Sequence, residues 1–197
     1  EHNAQRDFAE FVGRQAALVL DIAERRLQGG RYKVPRHVAA SLKSSPAFNE
    51  AVANGDSVAS KEGGEAIVQA ALDAFGTVDI VINNAGILRD KSFHNMTPEL
   101  IDPVLDVHLK GAFYVTIPAW RVMREKGYGR VICTSSAAGI LGNFGQANYG
   151  AAKMGLVGFT RVLAAEGKKY NIKVNALAPV AKTRMTEELL GPMADKL

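Results

Sequence analysis

Apolar residues recur close to helical spacing over 4–28, where Phe8, Phe11, Val12, Val19, Ile22 and Leu27 stand among charged side chains. That pattern predicts a helix ended by Gly29-Gly30, with a short strand over 16–20 as the competing reading. Ser45-Pro46 then reads as an N-cap with a first-turn proline, or as a simple loop. From residue 50 the pattern changes. A short strand over 50–54 leads to an amphipathic helix over 62–75, with Ile67, Val68, Ala71, Leu72 and Phe75 on one side. A nearly continuous apolar strand follows at 78–82. Thr97-Pro98 opens a long helical stretch towards Gly127, with a break or kink expected near Gly111 and Pro118. A strand at 130–134, a helix at 149–166, a strand at 172–177 and the start of a last helix at 186–190 complete the series.

Strands separated by helices of this length imply right-handed crossovers and an α/β fold, a doubly wound parallel sheet with helices on both faces. The change of pattern divides the chain into a mainly helical segment over 1–48, of unassigned role, and an α/β domain over 49–197.

Bulk properties narrow the function. A chain of 197 residues with 47% apolar content suits one soluble domain, and no run approaches the ~18 apolar residues of a membrane span. The net charge of +4 favours anionic ligands such as nucleotides or CoA but is no argument for nucleic-acid binding, and the basic stretch over 25–43 reads as a solvated face. One cysteine, Cys133, excludes an intramolecular disulfide framework and fits a reducing, cytoplasmic setting. Its apolar strand makes it a packed small side chain rather than a nucleophile. A first residue Glu1 and the lack of a signal peptide suggest a fragment or a processed form. His2, His37 and His94 show no ligand spacing, so no metal site is expected.

The chemistry concentrates in 131–153. An apolar run passes through Ser135-Ser136 and a Gly/Asn-rich loop into a helix bearing Tyr149 and Lys153. Four positions apart on a helix, the phenol and ammonium share a face and can meet around one reacting atom. Ser136 lies at the end of a strand whose path to the helix can return its hydroxyl to that face. A Tyr-x-x-x-Lys pair alone is equally compatible with a solvated helix surface. Asn83-Asn84-Ala85-Gly86 after one strand and Ala178-Pro179 after another change the balance. Together with Ser136, Tyr149 and Lys153, over roughly residues 50–190, they resemble the short-chain dehydrogenase/reductase family. Within it, residues 86–90 and 142–149 are most similar to the (3R)-hydroxyacyl-CoA dehydrogenase branch of peroxisomal-type multifunctional enzymes and their bacterial relatives.

The resemblance implies a Rossmann-like domain that interconverts a secondary alcohol and a ketone, here a 3-hydroxyacyl and 3-oxoacyl thioester, with NAD or NADP and NAD favoured. It implies Tyr149 as general acid/base, Lys153 as its partner and Ser136 as the group that orients the substrate oxygen. His108 occupies the place of the family's usual relay Asn; a buried structural imidazole is the equal alternative. Cofactor contacts carry over to Asp56 and Ser57, or these form a capping turn. They carry over also to Asn83, Ala85 and Gly86, and to Ala181 and Thr183 after Pro179. Val180 replaces the family's usual Gly there. A homodimer or homotetramer is implied by resemblance only.

A phenol near pKa 10 needs ~4 kcal/mol of help to work near neutrality, about what an ammonium ~4 Å away supplies at a dielectric of ~20. Lys153 is therefore expected to bring Tyr149 down. One departure stands against the enzyme: no Gly-x-Gly-x-x-Gly exists in the chain, and 1–48 does not resemble the family's first βαβ unit. The sheet is thus expected to be incomplete at that unit and at the C-terminus, leaving strand 78–82 as an apolar edge that something must cover. The alternative function is a catalytically silent structural or partner-binding module.

Overall fold

The structure is a computed structural model, and it describes residues 52–179. The helices expected over 4–28 and 186–190, and the site residues Ala181 and Thr183, lie outside the described residues.

Helix α1 (Lys61–Phe75) begins where the Ser60 hydroxyl accepts the Gly63 amide at 3.1 Å. It ends at Gly76, whose φ of 72° is a left-handed cap that a Cβ would strain. Its Ile67, Val68 and Ala71 are buried, as the spacing requires. Strand β1 (Ile80–Asn83) starts two residues later than expected, because backbone pairing with its neighbour opens at Ile80↔Arg130. The 50–54 strand is corrected: the described part, 52–57, is irregular backbone with Val52 exposed, and no neighbouring strand pairs with it among the described residues.

The long helical stretch proves to be three pieces. Helix α2 (Pro98–Leu105) passes into a π-helical turn (Asp106–Lys110), which opens into helix α3 (Gly111–Lys126). The break therefore sits just before Gly111, while Pro118 lies inside continuous helix. A π turn often marks a functional position, and this one carries the buried His108. Strand β2 (Gly129–Thr134) leads to a one-turn helix α4 (Ala137–Leu141) that the periodicity did not reveal, then to helix α5 (Ala147–Gly167) and strand β3 (Ile172–Leu177).

The three strands pair in parallel in the order β1-β2-β3. In register, Val81, Val131 and Val174 stand side by side, and so do Asn83, Cys133 and Ala176. On that face Asn83 donates to the Thr116 hydroxyl of α3 at 2.9 Å, and Val131, Cys133, Leu156 of α5 and Val115 of α3 join one buried core. Along β2, burial alternates between Gly129, Val131 and Cys133 and the less buried Arg130, Ile132 and Thr134. Among the described residues, α3 and α5 thus cover one face, β1 and β3 are the edge strands, and Val81 of β1 is nonetheless fully packed. An ion pair between Asp79 and Lys126, shared with Thr77, ties the approach to β1 to the end of α3.

Candidate active site

In a parallel sheet the C-terminal strand ends open on one edge, where ligands of α/β folds bind. The ends of β1, β2 and β3 deliver Asn83–Gly86, Ser135-Ser136 and Ala178-Pro179 to that edge, and α5 starts beside them. Ser136 adopts extended backbone and caps α4, its hydroxyl accepting the Ala138 amide at 3.2 Å. The same hydroxyl lies beside the Tyr149 phenol, where it works to lower the phenol's pKa. Next to it, Ser135 donates to the Lys153 carbonyl at 2.8 Å and so pins α5 to β2. Lys153 is 3% exposed and its Nζ donates to the Thr134 carbonyl at 2.6 Å, 5.4 Å from the Tyr149 ring centre. Three groups separated by up to seventeen positions thus gather at that edge.

His108 meets Tyr149 edge-on, with ring centres 5.1 Å apart. Its Nε2 lies 3.0 Å from the Ile87 amide and 2.8 Å from the Ile87 carbonyl, so each neutral tautomer has one partner there. Nδ1 is buried without a hydrogen bond among the described residues. Burial first, and the Lys153 charge second, push the imidazole down to about 4. It is neutral at physiological pH. Between the ordinary 6.5 and 4 the unfolded chain binds a proton that the folded chain refuses, so stability falls as pH falls through that window, by about 3 kcal/mol in full. Unfolding of His108→Asn should show a flatter acid slope by urea titration.

Gly86 is explained by the same ring. A Cβ there would meet His108 Cε1 at 2.5 Å, and the imidazole cannot withdraw without leaving Ile87. Gly86→Ala should cost about 1–3 kcal/mol, read as a lower urea midpoint.

The electrostatics correct one expectation. Lys153 does not bring Tyr149 down in the free chain: burial pushes the phenol up, the neighbouring Ser136 hydroxyl opposes this, and the Asp90 carboxylate adds to the rise. The ammonium is itself desolvated, held down to about 8, and directs one of its three N–H donors to the Thr134 carbonyl.

Asn83, Ala85 and His108 line one small cavity of about 20 Å³ with Val58, and the exposed Asp56 and Ser57 directly precede Val58. Ser57 receives the Ala59 amide at 3.2 Å and Asp56 N–H bonds Asn54, which is the local turn weighed against a cofactor contact. Asn84 was not singled out from sequence, yet it accepts the Thr134 hydroxyl at 2.9 Å across the strand ends. Gln146, Asn148 and Asp90 were missed as well, because single polar side chains at a helix start or in a loop carry no periodic signal. Cys133 is buried, which raises its thiol pKa and leaves it inert.

The family model for short chain dehydrogenases matches residues 13–192, starting well before the residue-50 onset of the sequence motifs. The chain belongs to the short-chain dehydrogenase family. A short-chain type dehydrogenase/reductase of Mycobacterium tuberculosis is 57% identical over 142 residues, 72% of this chain and 50% of the relative. Peroxisomal multifunctional enzyme A of Dictyostelium discoideum is 52% identical over 185 residues, 93% of this chain and 41% of the relative. A crystal structure of a short chain dehydrogenase from Mycobacterium avium superposes with a TM-score of 0.68 at 42% identity, covering 77% of this chain and 52% of that one. The chain thus spans about half the length of the curated relatives it matches. The Rossmann-like α/β fold follows from these matches and the parallel sheet. No helix among the described residues is long and apolar enough to cross a membrane.

Proposed function

We propose that the chain is the catalytic part of an NAD(P)-dependent oxidoreductase that interconverts a 3-hydroxyacyl and a 3-oxoacyl thioester. The observation that carries this is the Tyr149 ring 5.4 Å from the buried Lys153 ammonium, with the Ser136 hydroxyl beside its phenol. Family membership and the relatives' names support the reaction class, and the relationship to a peroxisomal multifunctional enzyme supports an acyl substrate.

The residues present fit a nicotinamide cofactor. Lys153 carries three N–H donors and uses one on Thr134, so two remain for oxygens of a ribose-like diol. The small side chain of Ala85 leaves close backbone approach open at the sheet edge. Asn83, Ala85, Gly86, Tyr149 and Lys153 would hold the cofactor, with Asp56 and Ser57 at its adenine end and Ala181 and Thr183 as further contacts. A bound nicotinamide supplies the hydride acceptor or donor. In oxidation, Tyr149 takes the hydroxyl proton while Ser136 holds the same oxygen; in reduction it returns the proton. Because burial holds the phenol up, oxidation speeds up with rising pH until the phenol is ionised. His108 stays neutral and keeps the Gly86-Ile87 backbone in place. We assign NAD rather than NADP, a homodimer or homotetramer, and a reducing, cytoplasmic setting that rests on Cys133; the Dictyostelium relative is named for the peroxisome.

The test is oxidation of a (3R)-hydroxyacyl-CoA with NAD, followed by the absorbance of reduced nicotinamide. Activity on the 3R and not the 3S substrate supports the reading; failure on both, with NADH bound, removes the substrate class. The absent glycine-rich sequence favours a second reading, a silent module. A flat NADH fluorescence titration would select it.

A further inference from the structure

Helix α5 begins in an unusual way. Its N-cap is Gln146, which makes no capping bond with its side chain, although it is only 5% exposed. The amide instead reaches across to the loop after β1: Gln146 Nε2 donates to Asp90 Oδ2 at 2.7 Å, and Asn143 donates to Gln146 Oε1 at 3.0 Å. Two positions on, Asn148, 3% exposed, donates to the Arg89 carbonyl at 3.0 Å and to the Leu100 carbonyl of α2 at 2.7 Å. Its own oxygen accepts the Tyr149 amide at 2.7 Å. The Lys91 amide closes the set on the Gly145 carbonyl at 2.8 Å.

The loop over 86–91 is thereby fixed at both ends. Ile87 is held by His108, and Arg89, Asp90 and Lys91 by the start of α5. Tyr149 sits on the first turn of that helix, directly after the residue that ties it to two other elements. Burying two amides is costly unless their hydrogen bonds are made, and these are spent on joining segments up to 59 positions apart rather than on the helix itself.

We infer that Asp90, Gln146 and Asn148 are positioning residues, a clamp that sets the Tyr149 phenol against Ser136 by strapping the 86–91 loop to the first turn of α5. This rests on the proposed role of Tyr149, but its consequence is visible without turnover. With the clamp intact, the Ser136 hydroxyl beside the phenol favours the phenolate; with it broken, that influence is lost. The clamp also leaves the Asp90 charge near the phenol, where it works against ionisation. The other groups facing Tyr149 are Lys153 on α5, His108 on the π turn and Ser136 beyond β2, while the Arg89 guanidinium turns onto the Leu88 carbonyl.

The experiment is an NMR titration of the chain carrying 13C-labelled tyrosine, with the Tyr149 signal assigned by its loss in Tyr149→Phe. Ser136→Ala should raise the Tyr149 midpoint in the intact chain. In Gln146→Ala the midpoint should already be raised, and adding Ser136→Ala should move it no further. Asp90→Asn keeps an acceptor for Gln146 and removes the charge, so the midpoint should fall while the Ser136→Ala shift persists. Where turnover is measured, Gln146→Ala should lower kcat about tenfold or more with a smaller change in KM. A lower melting temperature in Gln146→Ala with an unchanged Tyr149 midpoint and an undiminished Ser136→Ala shift would overturn the clamp. If Gln146→Ala fails to fold, Asp90→Ala breaks the same bond at an exposed residue and is judged by whether the Ser136→Ala shift survives. Turnover retained by Tyr149→Phe would instead remove the catalytic reading and leave the titration result standing.

Discussion

Tyr149→Phe should lower the turnover of a hydroxyacyl thioester by about 10³–10⁴-fold while leaving NADH binding intact. Proton transfer by a positioned side chain contributes on the order of 10²–10⁴ in rate, and here the removed hydroxyl is the group beside Ser136. The ring itself is kept, so its edge-on contact with His108 and its packing against the core persist. Stability should therefore change little. A calorimetric melting curve beside the kinetic trace separates lost chemistry from lost fold. A large fall in melting temperature would mean that the hydroxyl serves the fold.

The second large effect is at Lys153, where function and stability should move in opposite directions. Burial holds its ammonium down to about 8 from an ordinary 10.5. Below pH 8 the folded chain carries a charge that burial disfavours, a penalty of roughly 3 kcal/mol. Between 8 and 10.5 the unfolded chain binds the proton and the folded chain does not, so stability rises with pH across that window. Lys153→Met keeps the chain length and removes the charge, losing one hydrogen bond to Thr134 worth about 1 kcal/mol. At pH 7 the cofactor-free variant should be about 2 kcal/mol more stable than the parent, and the difference should cross zero at about pH 10 and turn slightly against the variant above 10.5. Turnover should fall as steeply as in Tyr149→Phe. Denaturant unfolding at the two pH values checks the sign, and a variant that is less stable at pH 7 would show that the Thr134 bond outweighs the burial cost.

How much of this could be seen in the sequence depends on the range of the forces involved. Periodicity located α1, β2, β3 and α5 within about two residues, because one covered face leaves a regular stripe such as Ile67, Val68 and Ala71. The spacing of Ser136, Tyr149 and Lys153 pointed to their common strand edge for the same reason: a strand end and one helical turn are local geometry. The short strand at 50–54 was expected from composition, yet a strand exists only through a partner, which the described residues do not give it. The π turn at Asp106–Lys110 was hidden, since Val107 and Leu109 fit a helical pattern whether the turn is wide or regular. Charge was hidden most of all. The sequence put an ammonium beside a phenol, but only the packing shows that both are desolvated and that Asp90, fifty-nine positions before Tyr149, opposes ionisation. Gln146 and Asn148 were equally silent, because an amide declares its purpose only through the carbonyl it meets.

Hydride transfer in a single turnover, followed across pH in the parent chain and in Tyr149→Phe with saturating NAD, bears most directly on the idea that one phenol manages the substrate proton. The parent should accelerate with pH along one ionisation and then level off, and the phenylalanine variant should show no such limb and almost no transfer. A variant that transfers hydride at the parent rate, or a parent whose rate ignores pH, would contradict it.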